Sequence, residues 1–306
     1  MEPISLGKTG LAVPQVAVGC MRICNIDKAE VPEFVSYCIE NGMNFFDHAD
    51  IYAGGRSESV FAEGLKDSGY KREDIILQTK CGIRKGMYDF SKEHILESVK
   101  GSLKRLNTDY IDVLLLHRPD ALCEPEVVAE AFDTLYNSGM VRHFGVSNHN
   151  PYQIELLNKY FNQEIHVNQL QLSLTDARII SSGLEVNMAT SGAVNTDGGV
   201  LDYCRLNDIT IQAWSPYQYG MFKGVFIGNN ELYPKLNETL NELSEKYGAT
   251  PTAIVAAWIL KHPAKIQMVS GTTKKDRMKE IYQGAEIKLE RADWYKLYID
   301  AGHILP

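Results

Sequence analysis

Short apolar runs that end in polar residues alternate with segments of helical periodicity along most of the chain. Eight such runs predict β-strands that begin near residues 16, 44, 75, 111, 142, 166, 209 and 267. The run at 110–117 is almost continuously apolar, which is typical of a strand buried on both faces of a parallel sheet. Most runs are followed by a segment with apolar residues three and four positions apart, as in the helix predicted over 30–40. The chain is therefore built from repeated βα units.

Eight βα units in 306 residues predict an α/β protein with one closed (β/α)8 TIM barrel, and a single domain over residues 1–306. Two turn glycines at 5–11 predict a small β-hairpin ahead of the barrel. Two successive helical patterns at 236–247 and 252–260 indicate an extra helix toward the C-terminal side. The Ser-, Gly- and Asn-rich segment 176–202 interrupts the regular spacing and is expected to be a long loop.

Charge and cysteine content narrow the class of protein. Acidic residues outnumber basic ones by 39 to 31, which argues against a partner with the negative charge of a nucleic acid or an anionic membrane. No signal peptide is visible at the N-terminus, and the longest apolar run, 253–260, is too short to span a bilayer. The six cysteines lack zinc-site spacing, so free thiols in the cytoplasm and no metal site are expected. No heptad or apolar stripe indicates an interface, so a monomer is the default expectation.

Polar residues stand where the predicted strands end, and in a barrel these positions face one shared site. They are Asp47 and Tyr52, Lys80, His117, Ser147 and Asn148, Gln169, and Trp214 and Ser215. Each has an ordinary structural explanation when taken singly, such as a helix cap, a solvated lysine or a turn. The joint placement of an acid, a phenol, an amine and an imidazole favours a functional site.

A phenol beside an ammonium group has a chemical use. The positive charge of Lys80 favours tyrosinate, which is expected to lower the pKa of Tyr52 from about 10 toward the operating pH. Tyr52 then becomes a usable proton donor, and a carboxylate such as Asp47 would hold the amine charged and in place. Lys80 would repel a metal ion at the same position, and no G-x-S-x-G motif accompanies Ser147.

Several motifs in fixed order resemble those of the aldo/keto reductase superfamily, from about residue 5 to residue 298. They are Gly-Met-Asn-Phe-Phe-Asp-His-Ala-Asp-Ile-Tyr at 42–52, Thr79-Lys80, Leu-Leu-Leu-His-Arg-Pro at 114–119, Gly-Met-Val-Arg-His-Phe-Gly-Val-Ser-Asn at 139–148 and Gly-Thr-Thr-Lys at 271–274. The resemblance implies an NADP(H)-dependent reductase of small carbonyl substrates on a (β/α)8 barrel. It implies Tyr52 as proton donor, Lys80 as the group that tunes it, Asp47 as the partner of Lys80, and His117 as the group that orients the carbonyl oxygen.

The same resemblance implies a binding site for NADP (NADPH). Ser147, Asn148 and Gln169 would hold the carboxamide, Trp214 would stack on the nicotinamide, and Ser215 would follow in a phosphate-binding loop. The residues implied at the adenosine-phosphate end are Gly271, Thr272, Thr273, Lys274, Arg277 and Glu280. Gly271 and Ile281 depart from the Lys and Asn that many members carry there, so the preference for NADP over NAD stays open.

Two other functions stay open at this stage. A regulatory subunit that binds NADP(H) with little turnover would use the same cofactor residues, and an alcohol or sugar dehydrogenase would use the same site in the opposite direction. The tail after Tyr298 is short, so substrate selection is expected to depend on the loops at 21–24, 84–88, 118–123 and 217–230.

Overall fold

The computed structural model describes residues 2–220 and 222–306, and a closed barrel of eight strands lies at its centre. Every strand pairs in parallel with the strands before and after it in chain order. The strands are β1 Val16–Gly19, β2 Phe45–Asp47, β3 Ile76–Cys81, β4 Ile111–Leu116, β5 Val141–Ser147, β6 Ile165–Gln171, β7 Thr210–Trp214 and β8 Gln267–Ser270. The predicted (β/α)8 TIM barrel is confirmed.

Helices connect the strands and surround the barrel. They are α1 Val31–Glu40, α2 Arg56–Asp67, α3 Lys92–Leu106, α4 Pro125–Asn137, α5 Pro151–Asn158, α6 Arg178–Leu184, α7 Val200–Leu206, α8 Pro234–Tyr247, α9 Pro251–Leu260, α10 Lys275–Gly284 and α11 Arg291–Asp300. The local sequence explains where two of these helices begin. Ser91 caps α3 and accepts a hydrogen bond from the backbone N–H of His94. Thr250 caps α9, whose first residue is a proline.

The segment at 176–202 differs from the long loop that the sequence predicts. It contains α6 and α7, each seven residues long, joined by a connection with a short 3-10 turn at Ser191–Ala193. Ile180 and Cys204 are buried on these helices. Helices of two turns are too short to display a hydrophobic period, which is why the pattern did not reveal them.

The predicted extra helices are present at the C-terminal side. Both α8 and α9 lie between β7 and β8, and α11 packs against α8. Trp258 of α9 stacks on Trp294 of α11 with ring centroids 4.9 Å apart, and each indole N–H donates to the other residue's carbonyl oxygen. Within residues 2–220 and 222–306, no helix has both the length and the apolar character needed to cross a membrane.

The N-terminal hairpin closes the end of the barrel at which the strands begin. Its strands Ile4–Ser5 and Ala12–Val13 are antiparallel, and Leu6 is fully buried in the apolar cluster inside the barrel. Gly7 donates its N–H to Thr210 Oγ1 at 2.7 Å. Its φ is +50°, and a Cβ there would lie 2.7 Å from a carbonyl oxygen, so the close approach requires glycine.

The barrel interior changes from apolar to polar toward the carboxyl ends of the strands. Phe45 of β2, with Val113 and Leu115 of β4, belongs to the apolar cluster that the hairpin covers. Alternating positions along a strand face the same side, so inward residues follow in layers. Four buried glutamines form a hydrogen-bonded layer next to Asp47, and they are Gln78, Gln169, Gln212 and Gln267.

Candidate active site

The loop between β2 and α2 folds Tyr52 back over the end of β3. Asp50 donates its backbone N–H to the carbonyl oxygen of Lys80 at 3.0 Å, so the chain stays paired with β3 beyond the end of β2. Residues 53–55 all have positive φ, between 51° and 89°. Gly54 and Gly55 adopt positive φ without steric cost, while Ala53 is strained there. The predicted glycine turn therefore follows Tyr52 directly and leads the chain from it into α2.

The side chains of Asp47, Lys80 and Tyr52 form a continuous chain of polar contacts. Lys80 Nζ lies 2.8 Å from both carboxylate oxygens of Asp47 and 3.2 Å from the Tyr52 hydroxyl. Its third contact is the carbonyl oxygen of His48 at 2.7 Å. The ring of His117 meets the ring of Tyr52 edge to face, with centroids 5.9 Å apart. The fold thus brings together the four residues that the sequence predicted as a site.

Burial and charge act against each other in this cluster. Burial raises the pKa of the Tyr52 phenol, and the Lys80 ammonium offsets only part of that rise. The expected net lowering of the pKa of Tyr52 is therefore wrong, although the ammonium acts in the predicted direction. Burial opposes the charge of Lys80 too, but Asp47 and Tyr52 outweigh it and raise the pKa of Lys80. The arrangement is a protonated phenol beside a charged amine.

His117 is held in its neutral form. Burial, followed by the charges of Lys80 and Arg118, lowers its pKa well below the usual value. A neutral imidazole can donate a hydrogen bond to an oxygen atom without adding a charge to the site.

A cavity of about 810 Å³ lies where the strands end, with Tyr52 and His117 in its wall. Most predicted site residues line it, namely Asp47, Tyr52, His117, Ser147, Asn148, Gln169, Trp214, Ser215, Gly271, Thr272, Thr273, Lys274 and Arg277. Two do not: Lys80 is fully buried, and Glu280 of α10 lies near the lining residue Tyr217 without lining the cavity itself. The ammonium therefore acts on Tyr52 from behind, where water does not screen it.

Amide and hydroxyl groups form one wall of the cavity. Ser147 Oγ donates to the carbonyl oxygen of Gln169 at 2.9 Å and accepts from Asn148 Nδ2 at 2.7 Å. The indole N–H of Trp214 donates to Asn148 Oδ1 at 3.1 Å, and Asn148 itself has a φ of 59°. A planar amide and an aromatic ring held side by side suit the binding of a flat, amide-bearing ring.

The part of the cavity wall that follows β8 is suited to phosphate. Residues 271–274 lead directly into the N-terminus of α10, where free backbone N–H groups and the helix dipole favour an anion. Lys274 and Arg277 add positive charge, and Thr272 and Thr273 add hydroxyl groups. The donor set therefore fits the phosphates of a dinucleotide. In the described part of the chain, no group of three His, Cys, Asp or Glu side chains could hold a metal ion.

All four loops expected to shape the substrate pocket reach the cavity. They contribute Met21 and Arg22, Tyr88, Arg118, and Tyr217, Gln218, Phe222, Val225 and Ile227. The sequence did not reveal the glutamine layer or the buried Glu58. The glutamine layer has one trace in the sequence, which is a glutamine inside an otherwise apolar strand, as at Gln78, Gln212 and Gln267.

Glu58 ties the Tyr52 loop to the barrel. It is fully buried on α2 and accepts hydrogen bonds from Thr79 Oγ1 and Arg105 Nε, both at 2.7 Å. The three residues belong to α2, β3 and α3. A buried carboxylate is stable only with such partners, so this pair fixes the start of α2 directly behind the loop.

Replacing Arg105 by Met is expected to lower the free energy of unfolding by about 3 kcal/mol, because Glu58 is left as a buried charge without its partner. The measurement is urea denaturation at pH 7. Lys104→Met, one position earlier on α3 and exposed, is the matched control and should change stability by less than about 0.5 kcal/mol. Equal stability of the two variants would contradict this role of Arg105.

Comparison with known proteins agrees with the fold. The model of the Aldo/keto reductase family matches residues 15–298. The chain is 36% identical to an uncharacterized oxidoreductase, YcsN, of Bacillus subtilis and 32% identical to a 6-dehydroglucose reductase of Agrobacterium fabrum, with 97% of each chain covered in both comparisons. It is also 26% identical to a probable voltage-gated potassium channel subunit beta of Oryza sativa, with 94% of this chain and 92% of the subunit covered.

A solved structure supports the same conclusion. A thermostable aldo-keto reductase in complex with the inhibitor epalrestat superposes with a TM-score of 0.79 at 25% identity, over 98% of this chain and 100% of that one. The family match spans the eight strands and every residue of the candidate site. The chain belongs to the aldo/keto reductase family.

Proposed function

We propose that this chain is an NADP(H)-dependent reductase that converts an aldehyde or ketone to an alcohol. The observation that carries the proposal is the contact chain from Asp47 through Lys80 to the Tyr52 hydroxyl, at the wall of a cavity large enough for a cofactor and a substrate. A protonated phenol backed by a buried ammonium is suited to deliver a proton to an oxygen that becomes negative.

The chain's own residues would act on the carbonyl oxygen. Tyr52 donates its proton as negative charge develops there, and Lys80 stabilises the tyrosinate that results. His117, held neutral, donates a hydrogen bond that orients the same oxygen. NADPH, when bound, supplies the hydride that reaches the carbonyl carbon.

The proposed cofactor site runs along the cavity. Ser147, Asn148 and Gln169 would hold the carboxamide beside the ring of Trp214, as the family resemblance implies. Lys274 and Arg277, with the neighbouring threonine hydroxyls, support a 2′-phosphate and hence NADP(H) rather than NAD(H). The N-terminus of α10 offers its free N–H groups to the same phosphate.

A hydroxylated or acidic aldehyde is the proposed substrate class. Arg118 lines the cavity next to His117, and in the described part of the chain its guanidinium makes no hydrogen bond or ion pair but lies over the Trp214 ring, with Cζ 5.5 Å from the ring centroid. An unpaired guanidinium in a pocket favours a substrate with hydroxyl or carboxylate groups. The 6-dehydroglucose reductase among the relatives acts, by its name, on a sugar derivative, which supports the same class.

Replacing Arg118 by Met is expected to raise KM about 10-fold for hydroxylated aldehydes such as glyceraldehyde, because a hydrogen bond to a charged group is lost. For butyraldehyde, which lacks hydroxyl groups, KM should change by less than about twofold. The measurement is steady-state kinetics with both aldehydes, and the exposed Arg291 of α11, changed to Met, is the control. An equal rise in KM for both aldehydes would contradict a role in recognising hydroxyl groups.

The proposed function is tested by a panel of aldehydes and ketones followed through the loss of NADPH absorbance. Turnover of at least one hydroxylated aldehyde with NADPH is the expected result, and a parallel series with NADH measures the cofactor preference. Oxidation of the corresponding alcohols with NADP+ shows in which direction the site works better.

A regulatory subunit with little turnover is the second candidate, because the potassium channel subunit beta of Oryza sativa aligns over nearly the whole chain. This alternative predicts tight NADPH binding, measured by quenching of protein fluorescence, together with negligible turnover of every compound in the panel. We also propose a cytoplasmic location, since all six cysteines are free thiols, and a monomer, since the sequence has no heptad pattern or apolar stripe that indicates an interface.

A further inference from the structure

Four glutamines cross the barrel interior directly beneath the candidate active site. Gln169, Gln212 and Gln267 sit side by side on the neighbouring strands β6, β7 and β8. Gln78 projects from β3 on the other side of the barrel, next to Asp47 in the strand register. All four are almost completely buried. Buried amides are costly unless their donors and acceptors are paired, so their contacts are informative.

A chain of hydrogen bonds crosses the barrel from the carbonyl oxygen of Pro14 to the carboxylate of Asp47. Gln267 Nε2 donates to the carbonyl oxygen of Pro14 at 2.7 Å, and Gln212 Nε2 donates to Gln267 Oε1 at 2.8 Å. Gln212 and Gln78 form a reciprocal pair, with N···O distances of 3.0 and 2.8 Å. Gln78 Nε2 then donates to Asp47 Oδ1 at 2.6 Å.

This network fixes the orientation of the Gln78 amide. A carboxylate can only accept hydrogen bonds, so the amide must present its NH2 group to Asp47. Its oxygen then faces Gln212 Nε2, which donates to it. Rotating the amide by half a turn would place oxygen against the carboxylate and break the reciprocal pair.

Asp47 consequently has three donors around its carboxylate. Besides Lys80, they are Gln78 at 2.6 Å and Gln169 at 3.2 Å, both on Oδ1. An ammonium group alone can follow a carboxylate through several positions, because it has three equivalent N–H donors. The two amides belong to rigid strands and hold the carboxylate in one position.

We propose that Gln78 is a positioning residue, which fixes the Asp47 carboxylate and through it holds the Lys80 ammonium against the Tyr52 hydroxyl. The inference rests on the proposed reductase function. It extends the site from the four residues that the motifs supply to the layer of the barrel below them. Gln78 is not among the residues that line the cavity, and of its two side-chain partners only Asp47 contacts Lys80, so its effect on Tyr52 passes through Asp47.

Replacing Gln78 by Met keeps the length of the side chain and removes its hydrogen bonds. We expect kcat to fall about 10-fold, the effect of one lost hydrogen bond to a charged group, while KM and the NADPH dissociation constant stay within about twofold. Gln267→Met is the matched control, because Gln267 is equally buried in the same layer but does not touch Asp47. Its kcat should stay within about twofold of the unsubstituted chain.

A double-mutant cycle separates positioning from general damage to the core. In an Asp47→Asn background, adding Gln78→Met should lower kcat by no more than about twofold further, because the residue acts through the carboxylate. Where Gln78→Met folds poorly, Gln78→Leu, which also removes the hydrogen bonds of Gln78 but leaves Gln212 and Gln169 unchanged, should show the same loss of kcat. Thermal melting of each variant monitors folding.

Independent losses in the cycle, or equal losses of kcat for Gln78→Met and Gln267→Met, would overturn the proposal. Failure of the proposed function has a different signature, since the unsubstituted chain would then reduce no carbonyl compound in the panel. The cycle is therefore performed with a substrate that the unsubstituted chain reduces and Tyr52→Phe does not.

Discussion

Tyr52→Phe is expected to lower kcat for carbonyl reduction about 10³-fold, because it removes the proton donor while leaving the aromatic ring in place. The Tyr52 hydroxyl lies 3.2 Å from Lys80 Nζ, and the phenol keeps its proton at neutral pH since burial raises its pKa. The NADPH dissociation constant should stay within about twofold, because the hydroxyl has no part in the proposed cofactor site. The measurements are steady-state kinetics and a fluorescence titration with NADPH.

Tyr88→Phe is the matched control for this experiment. Tyr88 also lines the cavity, but it lies on the short strand Met87–Tyr88, which pairs with Ile83–Arg84, and is 45% exposed. Its variant should retain kcat within about threefold. A Tyr52→Phe variant with more than a tenth of the original kcat would contradict the assignment of Tyr52 as proton donor.

Lys80→Met is expected to lower kcat about 10²-fold, because the tyrosinate that forms on proton donation loses the charge that stabilises it. The same substitution leaves Asp47 as a buried carboxylate without its ammonium partner, which should lower the free energy of unfolding by about 3–5 kcal/mol. Kinetics and urea denaturation measure the two effects separately.

The double variant Lys80→Met, Asp47→Asn separates chemistry from stability. With both charges removed, the free energy of unfolding should recover by about 2 kcal/mol or more relative to Lys80→Met, while kcat stays low. Recovery of kcat together with stability would show that Tyr52 needs no ammonium beside it and that Lys80 acts only in folding.

The loop after β2 illustrates how far sequence reasoning extends. The apolar run, the glycine turn and the spacing from Asp47 to Tyr52 indicate a site at the end of a strand, and both residues lie there in the structure. The position of Glu280 shows the limit, since a motif match did not reveal that its side chain lies outside the cavity lining. Helical phase and side-chain direction depend on packing that a linear motif does not contain.

The order of eight apolar strands with polar tips, and with it the barrel and the residues at its carboxyl end, can be read from the chain alone. These features are local, because each depends on residues close together in the chain. The net direction in which the pKa of Tyr52 shifts depends on the folded state, because burial is the sum of contacts from many elements and here outweighs one nearby charge. The hydrogen-bonded pair of Gln78 and Gln212 also depends on the folded state, because the two residues lie 134 positions apart in the chain and meet only when the barrel closes.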